Sequence, residues 1–458
     1  MQAVNFIHFQ KKWRERSMIK QHSQPGFDRL TKEALRYIAG GVVSLNRKTD
    51  PHIIFREGKG SKIYDINGKE YIDYHAAFAP HLLGHNCDVV NNAVKQVIDS
   101  DISLIGSGTN ALEVRLARLL CTIIPSLQLV QITNTGSEAT AHAIRLSRAY
   151  TGREHIILIL GGYNGWHNDV ARVVLPSLEQ TGPRKTRGEY PFLPSSAGIP
   201  DSVKALVHCV NFNDLESVEY VLQKYPIACV LTEPVLQNVG VILPKPGYLQ
   251  GLVDLCEAHG AVCIFDEVKT GFRSALGGYQ SVAGVTPHLS VFGKAIANGY
   301  PLGVVGGKKE IMKLFDSPDP AKRVLIAGTY NAHPFNTAAA IATLEKLQDA
   351  DVYTHLTTVS NYWYKGLETL FAEKGIPAVV SRNASASCTY FCREAPGDIH
   401  DLLQHHDFKF DVQYRRALIE KGIYQIPVAC KQNSVSYAHT AQDIFHTLDV
   451  TRQYLKSI

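Results

Sequence analysis

The sequence predicts an α/β fold in which a mostly parallel sheet of about seven strands is flanked by helices. Seven short apolar runs lack the in-out alternation of half-exposed strands and therefore predict buried strands. These runs are 130–133, 156–160, 205–210, 228–232, 261–265, 289–292 and 303–305. Stretches with helical spacing lie between them, including 113–120 and 136–150. The alternation of strand and helix is typical of parallel α/β domains.

The N-terminal segment, residues 1–70, is predicted to pack with a second, smaller domain. Residues 27–39 carry apolar side chains at helical spacing, and a Gly-Gly pair directly after them would end the helix. Two alternating stretches meet at an Asn-Gly pair, which predicts a hairpin over residues 62–73. The large domain is then expected to span residues 71–333. Within it, residues 178–200 are rich in Gly, Pro and charge and predict a long loop.

Residues 334–458 are predicted to complete the smaller α+β domain. Helices are expected, in alternation with short strands, over residues 338–347, 353–374 and 407–421. Thr440 and Asp443 form a capping-box pattern, which predicts the start of the last helix. The apolar stripe of that helix is expected to consist of Ile444, Phe445, Leu448 and Leu455.

The composition excludes several classes of function. The 458 residues are 45% hydrophobic and 19% charged, as in a globular protein with a large core. A net charge of +5 is small and dispersed, so nucleic-acid binding is not expected, and the basic cluster at 11–16 is interpreted as a solvated helix face. Nine cysteines without CxxC pairs indicate a reducing compartment. Without a secretory signal or an apolar run of roughly 18 residues, a cytoplasmic protein without membrane spans is predicted.

Lys294 directly follows a predicted strand and a glycine, and small residues come after it. A charged amine at the end of a buried strand is unfavourable unless it has a partner or a task. A lysine desolvated among apolar residues can form a Schiff base with a carbonyl group. The alternative is a surface lysine just beyond a strand, and this stretch by itself leaves both interpretations open.

Two other strand ends carry groups that could bind a ligand. The N–H groups of Gly136, Ser137 and Glu138 open a helix and could bind a phosphate, although the same stretch could be an ordinary helix cap. Asp266 ends another strand, at the edge where parallel sheets bind ligands. Its carboxylate could pair with a protonated ring nitrogen, or it could cap a helix.

Further candidates complete a recognisable set. Glu233 and Asn238 follow a strand, and Tyr163 offers an aromatic face in a glycine-rich loop. Thr329 adds a hydroxyl in the turn at 327–334. A phosphate cradle, an aromatic ring, a carboxylate and a lysine are together the groups that pyridoxal 5'-phosphate (PLP) requires.

The order and spacing of seven motifs resemble the class III, fold-type I PLP-dependent aminotransferases, in particular their glutamate-1-semialdehyde aminomutase branch. The motifs are GGVVSLNR (40–47), DINGKEYIDYHAAFAPHLLGHN (65–86), TGSEATAHAIRLSRAYTGR (135–153), EPVLQNVG (233–240), FDEVKTGFR (265–273), FGKAIANGYPLGVVGG (292–307) and GTYNAHP (328–334). The resemblance runs from about Phe27 to Ile458. It implies PLP as cofactor and a homodimer whose active sites lie at the subunit interface. The implied ligands are a small-molecule amino donor and a carbonyl acceptor, without a metal.

The resemblance also implies roles for matching residues. Lys294 would hold the cofactor aldehyde as a Schiff base and then act as general base and acid in a 1,3-proton shift. Asp266 would keep the pyridine nitrogen protonated, and Tyr163 would stack on the ring. Gly136 and Ser137 would hold the phosphate.

Three further positions take cofactor roles by the same resemblance. Thr329 would reach the phosphate from the other subunit of the dimer. Glu233 and Asn238 would lie beside the phenolic oxygen of the cofactor. All three residues match the motifs of the family at the expected places.

Departures from the aminomutase pattern lie where the substrate is expected. Asn164 replaces a histidine, and Lys431 replaces an acid. An acid replaced by a base beside a substrate changes which charges are tolerated, so a substrate other than glutamate-1-semialdehyde is predicted. Arg47 matches the position at which the family binds a substrate carboxylate, which suits a bidentate guanidinium.

The predicted function is therefore amino transfer from an amino acid or amine to a carbonyl acceptor that carries a carboxylate. A β-amino acid or an amine of specialised metabolism fits this prediction. The alternative is an intramolecular aminomutase of the glutamate-1-semialdehyde type. A PLP racemase and a non-catalytic descendant of the fold are lesser alternatives.

Overall fold

The computed structural model describes residues 25–103 and 105–458. The basic cluster at 11–16 lies outside these residues. The strands are β1 Phe55–Lys59, β2 Lys62–Asp65, β3 Glu70–Asp73, β4 Leu129–Thr133, β5 His155–Ile159, β6 Val207–Val210, β7 Ile227–Thr232, β8 Val262–Asp266, β9 Leu289–Phe292, β10 Gly303–Gly307, β11 Val379–Asn383, β12 Ala386–Tyr390, β13 Ile423–Tyr424 and β14 Asn433–Ser434.

Helices connect and cover these strands. The α-helices are Pro25–Tyr37, Asp88–Asp99, Ala111–Ile123, Gly136–Thr151, Leu178–Thr181, Asp201–Lys204, Leu215–Lys224, Tyr248–His259, Tyr279–Ala283, Lys309–Met312, Pro334–Leu347, Ala350–Lys374, Ile399–His405, Phe408–Glu420 and Ala441–Ser457. Short 3-10 turns occur at Ala39–Gly41, Leu45–Arg47, Lys294–Ala297 and Lys313–Asp316.

The large sheet contains seven strands in the order β4-β10-β9-β8-β7-β5-β6. They are the seven apolar runs of the sequence, which confirms the predicted α/β fold class. β10 runs antiparallel to both β4 and β9, and the remaining pairs from β9 to β6 are parallel. Strands β6 to β10 are buried along their whole length, so apolar side chains face both layers of helices.

The order of the strands determines where polar side chains meet. β7, β8 and β9 are neighbours and run parallel, so their carboxyl ends lie at the same edge of the sheet. Glu233 follows β7, Asp266 ends β8, and Lys294 comes two residues after β9. Ligands of open α/β sheets bind outside this edge. The topology therefore gathers three candidate residues that are far apart in the sequence.

The N-terminal hairpin is joined to the C-terminal part of the chain. β2 and β3 pair antiparallel around the predicted Asn-Gly turn, which confirms the hairpin. β13 pairs parallel to β3 and completes a sheet in the order β1-β2-β3-β13. A third sheet has the order β11-β12-β14. These pairings agree with a small domain built from both ends of the chain, whose exact boundaries stay a prediction.

Two local predictions need correction. The stretch 178–200 is not loop throughout, because it begins with the helix Leu178–Thr181. Tyr190, in the same stretch, is buried against the large core. In the last helix Ile444, Leu448 and Leu455 are buried, but Phe445 is 53% exposed and packs on Tyr362. Phe445 follows Ile444 directly and so points about 100° away around the helix.

The described helices include long ones, but none of them combines the length and the apolar character of a membrane span.

The capping box of the last helix gives a test of stability. The Thr440 hydroxyl accepts the N–H of Asp443 at 3.2 Å, and the Asp443 carboxylate accepts the N–H of Thr440 at 2.9 Å. We expect Thr440→Ala to lower the free energy of unfolding by about 0.5–2 kcal/mol, because N–H groups of the first turn lose their acceptor. Urea unfolding followed by circular dichroism measures this. Thr440→Ser keeps the hydroxyl, so an equal loss in both variants would contradict the role of the cap.

Candidate active site

A cavity of about 410 Å³ opens at the carboxyl ends of β8 and β9. Its volume lies in the range of pockets that hold small molecules and cofactors. Seven of the residues predicted from the sequence line it, namely Arg47, Gly136, Ser137, Tyr163, Asn164, Asp266 and Lys294. The structure therefore brings together residues that are separated by almost 250 positions in the chain.

Lys294 begins the 3-10 turn Lys294–Ala297 directly after β9 and Gly293. Its backbone has φ +50°, a left-handed conformation that is uncommon for a residue with a side chain and that clusters at functional sites. Burial lowers the pKa of the Lys294 ammonium, while the charges of Asp266 and Glu233 oppose that shift. A lowered pKa increases the neutral fraction of the amine, which is the nucleophilic form.

Asp266 is the last residue of β8, and it is only 2% exposed. The Asn164 amide donates a hydrogen bond to Asp266 Oδ2 at 2.7 Å, and the Val268 N–H donates to Oδ1 at 3.0 Å. Burial and the charge of Glu233 raise the pKa of Asp266 to about 7, although these two hydrogen bonds and Lys294 oppose the shift. A protonated ring nitrogen placed against this carboxylate would favour its ionised form.

Asn164 is buried and is held at its backbone, where its carbonyl accepts the Thr140 hydroxyl at 2.7 Å. Its side chain contacts Asp266 as well as the cavity. The structure thus places this residue between the carboxylate and the cavity. Its predicted contact with the substrate stays a prediction.

The helix Gly136–Thr151 points its N-terminus into the cavity, with Thr135 as its cap. Among the residues that the structure describes, none accepts the N–H of Gly136 or of Ser137. The N–H of Glu138 was predicted to bind phosphate as well. Instead it donates to the hydroxyl of the capping residue Thr135 at 3.2 Å. Two free N–H groups at a helix N-terminus remain to hold an anion.

Two glycines keep this anion site open. A Cβ at Gly136 would lie 2.7 Å from a methyl group of Val268, and a Cβ at Gly165 would lie 2.8 Å from Ser137 Oγ. Gly165 also has φ +125°, which disfavours any residue with a side chain. The close approach of these backbones requires glycine at both positions.

Glu233 anchors the loop that carries Tyr163. Its Oε1 accepts the Tyr163 N–H at 2.8 Å and the Asn238 amide at 2.7 Å, and its Oε2 accepts the Gln237 N–H at 2.9 Å. The buried Arg172 guanidinium donates to the carbonyl of Gly162 at 2.9 Å from the other side. Tyr163 is therefore held at the cavity wall by its backbone, and its ring remains 36% exposed.

Some predicted residues do not line this cavity. Glu233 and Asn238 lie behind Tyr163, and the Lys431 ammonium donates to the carbonyl of Asn238 at 2.9 Å. Thr329 is exposed on a surface turn. The contacts predicted for these four residues with the cofactor, the substrate or a partner subunit stay predictions.

Three residues at or near the site were not predicted from the sequence. Val268 lines the cavity from the turn after β8, and its closeness in sequence to Asp266 was a signal that could have identified it. Arg172 supports the loop of Tyr163, and Lys269 is only 7% exposed. The sequence around Arg172 and Lys269 does not distinguish them from surface residues, because burial of a cation depends on tertiary contacts.

The residues of the cavity fit PLP. Two N–H groups without acceptors suit its phosphate, and the buried Asp266 suits a protonated pyridine nitrogen. Tyr163 and Val268 offer surfaces for an aromatic ring, and Lys294 offers an amine with a lowered pKa to an aldehyde.

Comparisons with known proteins agree with this geometry. Residues 44–386 match the family Aminotransferase class-III. Glutamate-1-semialdehyde 2,1-aminomutase of Syntrophobacter fumaroxidans is 37% identical over 428 residues, which are 92% of this chain and 95% of that protein. The crystal structure of an omega-transaminase from Sphaerobacter thermophilus superposes with a TM-score of 0.86 at 29% identity, over 94% of this chain and 97% of that chain. A beta-phenylalanine aminotransferase from Variovorax paradoxus superposes with a TM-score of 0.81 at 26% identity, over 95% and 94%.

The raised pKa of Asp266 predicts a pH dependence of the cofactor-free protein. In the folded state the pKa of Asp266 is about 7, whereas the ordinary pKa of an aspartate is 3.8. Because the folded state binds the proton more tightly, its stability falls as the pH rises between these values, by at most about 1.4 kcal/mol per pH unit. Asp266→Asn removes this contribution. Urea unfolding across this pH range should therefore show wild type losing stability relative to the variant, and a constant or rising difference would contradict the shift.

Proposed function

Because this chain belongs to the class III aminotransferases, which are PLP-dependent enzymes, we propose that it transfers an amino group between a donor amine or amino acid and a carbonyl acceptor. The observation that carries the proposal is the convergence on one cavity of Lys294, Asp266 and two N–H groups that have no acceptor among the described residues. We further propose that the acceptor carries a carboxylate. A β-amino acid, or an amine of specialised metabolism, is the proposed class of partner substrate.

When bound, PLP supplies an aldehyde that takes up the amino group and a ring that accepts electrons from the neighbouring carbon. Lys294 would hold the cofactor aldehyde, and its Nζ would take up and release the proton that moves during amino transfer. Burial lowers the pKa of the Lys294 ammonium, which favours the neutral amine that accepts a proton. The left-handed backbone at Lys294 places the amine at the cavity wall.

Asp266 would hold a proton on the ring nitrogen of the cofactor, and its own position is fixed by the Asn164 amide and the Val268 N–H. Both donors are rigid, because Asn164 is buried and the Val268 donor is backbone. The N–H groups of Gly136 and Ser137 would hold the phosphate at the positive end of the helix dipole. These contacts orient the cofactor before the substrate arrives.

Arg47 is proposed to bind the carboxylate of the substrate. It lies at the end of the 3-10 turn Leu45–Arg47 and lines the cavity with an exposed guanidinium. A planar guanidinium can bind a carboxylate through two parallel hydrogen bonds. The structural similarity to an enzyme named for beta-phenylalanine supports a carboxylate-bearing substrate.

The second candidate function is an intramolecular aminomutase. The relative with 37% identity, which bears the name glutamate-1-semialdehyde 2,1-aminomutase, favours it. Lys431 disfavours it, because a base occupies the position where the aminomutases carry an acid. Turnover of a single amino-aldehyde without a keto-acid partner would favour the aminomutase over the transaminase.

We propose that the active protein is a homodimer, as class III aminotransferases generally are dimeric. The turn with Thr329 is exposed, and Leu325 and Tyr330 beside it expose 71% and 60% of their surface. Exposed apolar side chains of this size are typical of surfaces that a partner covers. Thr329 would then reach the phosphate site of the other subunit.

The role of Lys294 can be tested by Lys294→Ala. We expect amino transfer to fall by about 10²–10⁴-fold or more, because both the covalent attachment and the proton carrier are lost. Borohydride treatment followed by mass spectrometry should attach the cofactor to wild type and not to the variant. Lys365→Ala, on the exposed face of the helix Ala350–Lys374, is the control that should behave as wild type. Undiminished transfer by the Lys294 variant would contradict the proposal.

The role of Arg47 can be tested by Arg47→Ala. We expect the KM of carboxylate-bearing substrates to rise by about 10-fold or more, since a charge-assisted bidentate contact is worth about 1.5–3 kcal/mol. The visible spectrum of the bound cofactor should not change. Uncharged amines serve as the control, and an equal rise in their KM would show that Arg47 acts on something other than the carboxylate.

A further inference from the structure

A chain of hydrogen bonds leads from Asp266 away from the cavity. The Asn164 amide donates to Asp266 Oδ2 at 2.7 Å, and the backbone carbonyl of Asn164 accepts the Thr140 hydroxyl, also at 2.7 Å. Thr140 is fully buried and belongs to the helix Gly136–Thr151. One hydroxyl therefore ties the loop of Asn164 to the helix whose N-terminus opens on the cavity.

His167 is the next group in this chain. Its Nε2 lies 3.2 Å from Thr140 Oγ1. A hydroxyl has a single proton, and that of Thr140 faces the carbonyls of Asn164 at 2.7 Å and Ser137 at 3.0 Å. The proton between His167 and Thr140 must then come from the imidazole, so Nε2–H donates to the hydroxyl oxygen. This contact turns the hydroxyl proton towards the Asn164 carbonyl.

Asp169 and Arg148 hold the imidazole from its other side. Asp169 Oδ2 lies 3.7 Å from His167 Nδ1, and Arg148 donates to Asp169 Oδ1 at 2.8 Å. Burial by itself would raise the pKa of Asp169, but its contacts with His167 and Arg148 lower that pKa to about 2. A charged carboxylate beside one ring nitrogen fixes the orientation of a histidine. The chain thus ends in an ion pair that aims His167 at Thr140.

The imidazole is not needed for the local fold of its own loop. The backbone carbonyl of His167 accepts the N–H groups of Val170 and Ala171 at 3.0 Å, a contact that any residue could make. The ring does not line the cavity, so it acts on the site only through other groups. Its polar contacts among the described residues are with Thr140 and Asp169.

We propose that His167 is a positioning residue for the cofactor. Through Thr140 it holds the Asn164 backbone where the amide reaches Asp266, and it thereby keeps the Asp266 carboxylate ionised against a protonated ring nitrogen. A hydrogen bond to a carboxylate favours the charged form, and an amide that can turn away stabilises that form less. The inference deepens the proposed function and rests on it, because a protonated ring nitrogen serves amino transfer.

The test measures the Kd of PLP for the full-length protein by visible absorbance titration. His167→Phe keeps an aromatic ring without the N–H, and Thr140→Val keeps the shape without the hydroxyl. We expect each variant to raise the Kd by about 3–10-fold, as the loss of one hydrogen bond implies. His167→Gln keeps an N–H donor and should bind PLP nearly as wild type does. Asn168→Ala changes an exposed neighbour in the same loop and is the matched control.

Combined variants show whether the groups act in series. The double variant His167→Phe with Thr140→Val should have the Kd of Thr140→Val alone, because the imidazole then has no hydroxyl to hold. In an Asp266→Asn background, His167→Phe should leave the Kd unchanged, because the carboxylate that the chain serves is absent. A residue that merely stabilised the loop would weaken PLP binding by the same factor in every background.

The resonances of bound PLP give a second, spectroscopic readout. We expect His167→Phe to move the ¹⁵N resonance of the labelled ring nitrogen towards that of unprotonated pyridine. The ³¹P resonance should stay in place, because the phosphate is assigned to the N–H groups of Gly136 and Ser137. General loosening of the site would move both resonances.

Three results would overturn the proposal. These are an unchanged Kd in both single variants, additive effects in the double variant, and displacement of both resonances in His167→Phe. If His167→Phe does not fold, Asp169→Asn takes its place, since it removes the charge that orients the ring. Its effect on the Kd should likewise vanish in the Thr140→Val background, and an additive effect there would contradict the proposal as well.

Amino transfer and positioning can fail separately. Amino transfer by wild type, together with additive effects of His167→Phe and Thr140→Val on the Kd, would refute the role of His167 alone. Effects in series on PLP binding, in a protein that transfers no amino group from any donor, would refute the proposed function and leave the positioning role in place.

Discussion

The carboxylate of Asp266 is buried at the end of β8, and the described residues place no cation in an ion pair with it. Burial of a charged group is unfavourable unless its neighbours supply hydrogen bonds or an opposite charge. The Asn164 amide and the Val268 N–H stabilise the ionised form, whereas Glu233 destabilises it. Among the described residues, the carboxylate of Asp266 therefore lacks a positively charged partner, which a cationic ring nitrogen would supply. This requirement explains why a pyridine cofactor fits and why Asn164 has to be held rigidly from behind.

The same principle applies on the other side of the site. Burial lowers the pKa of the Lys294 ammonium, and the backbone of Lys294 is held in an uncommon left-handed conformation. Such strain persists only where the surrounding structure enforces it, and the packing around the 3-10 turn does so because Ala295, Ile296 and Ala297 are all buried. The protein thus stabilises an arrangement at the cavity that is unfavourable locally. Preorganised groups of this kind lower a barrier without rearrangement during the reaction.

The cofactor half and the substrate half of the site are built differently. Groups assigned to the cofactor lie at the ends of strands and at a helix N-terminus, where the large sheet fixes their positions. Groups assigned to the substrate, Arg47 and Lys431, come from the two ends of the chain and lie on irregular segments. Irregular segments tolerate substitution more readily than buried strands do.

The seven strands, the N-terminal hairpin and the last capping box were predictable from the sequence, because they depend on local periodicity and on short motifs. The same holds for the positions of Lys294, Asp266 and the helix N-terminus at Gly136 and Ser137. The sequence could not show that Asn164 contacts Asp266 or that Glu233 holds the loop of Tyr163. It also gave no sign that Lys269 is buried beside Lys431 at one turn. These facts depend on contacts between residues far apart in the chain. The sequence by itself therefore determined the fold and the chemistry of the cofactor, while only the tertiary structure decided which polar groups face the cavity and which groups behind it hold them in place, because those contacts join distant segments of the chain.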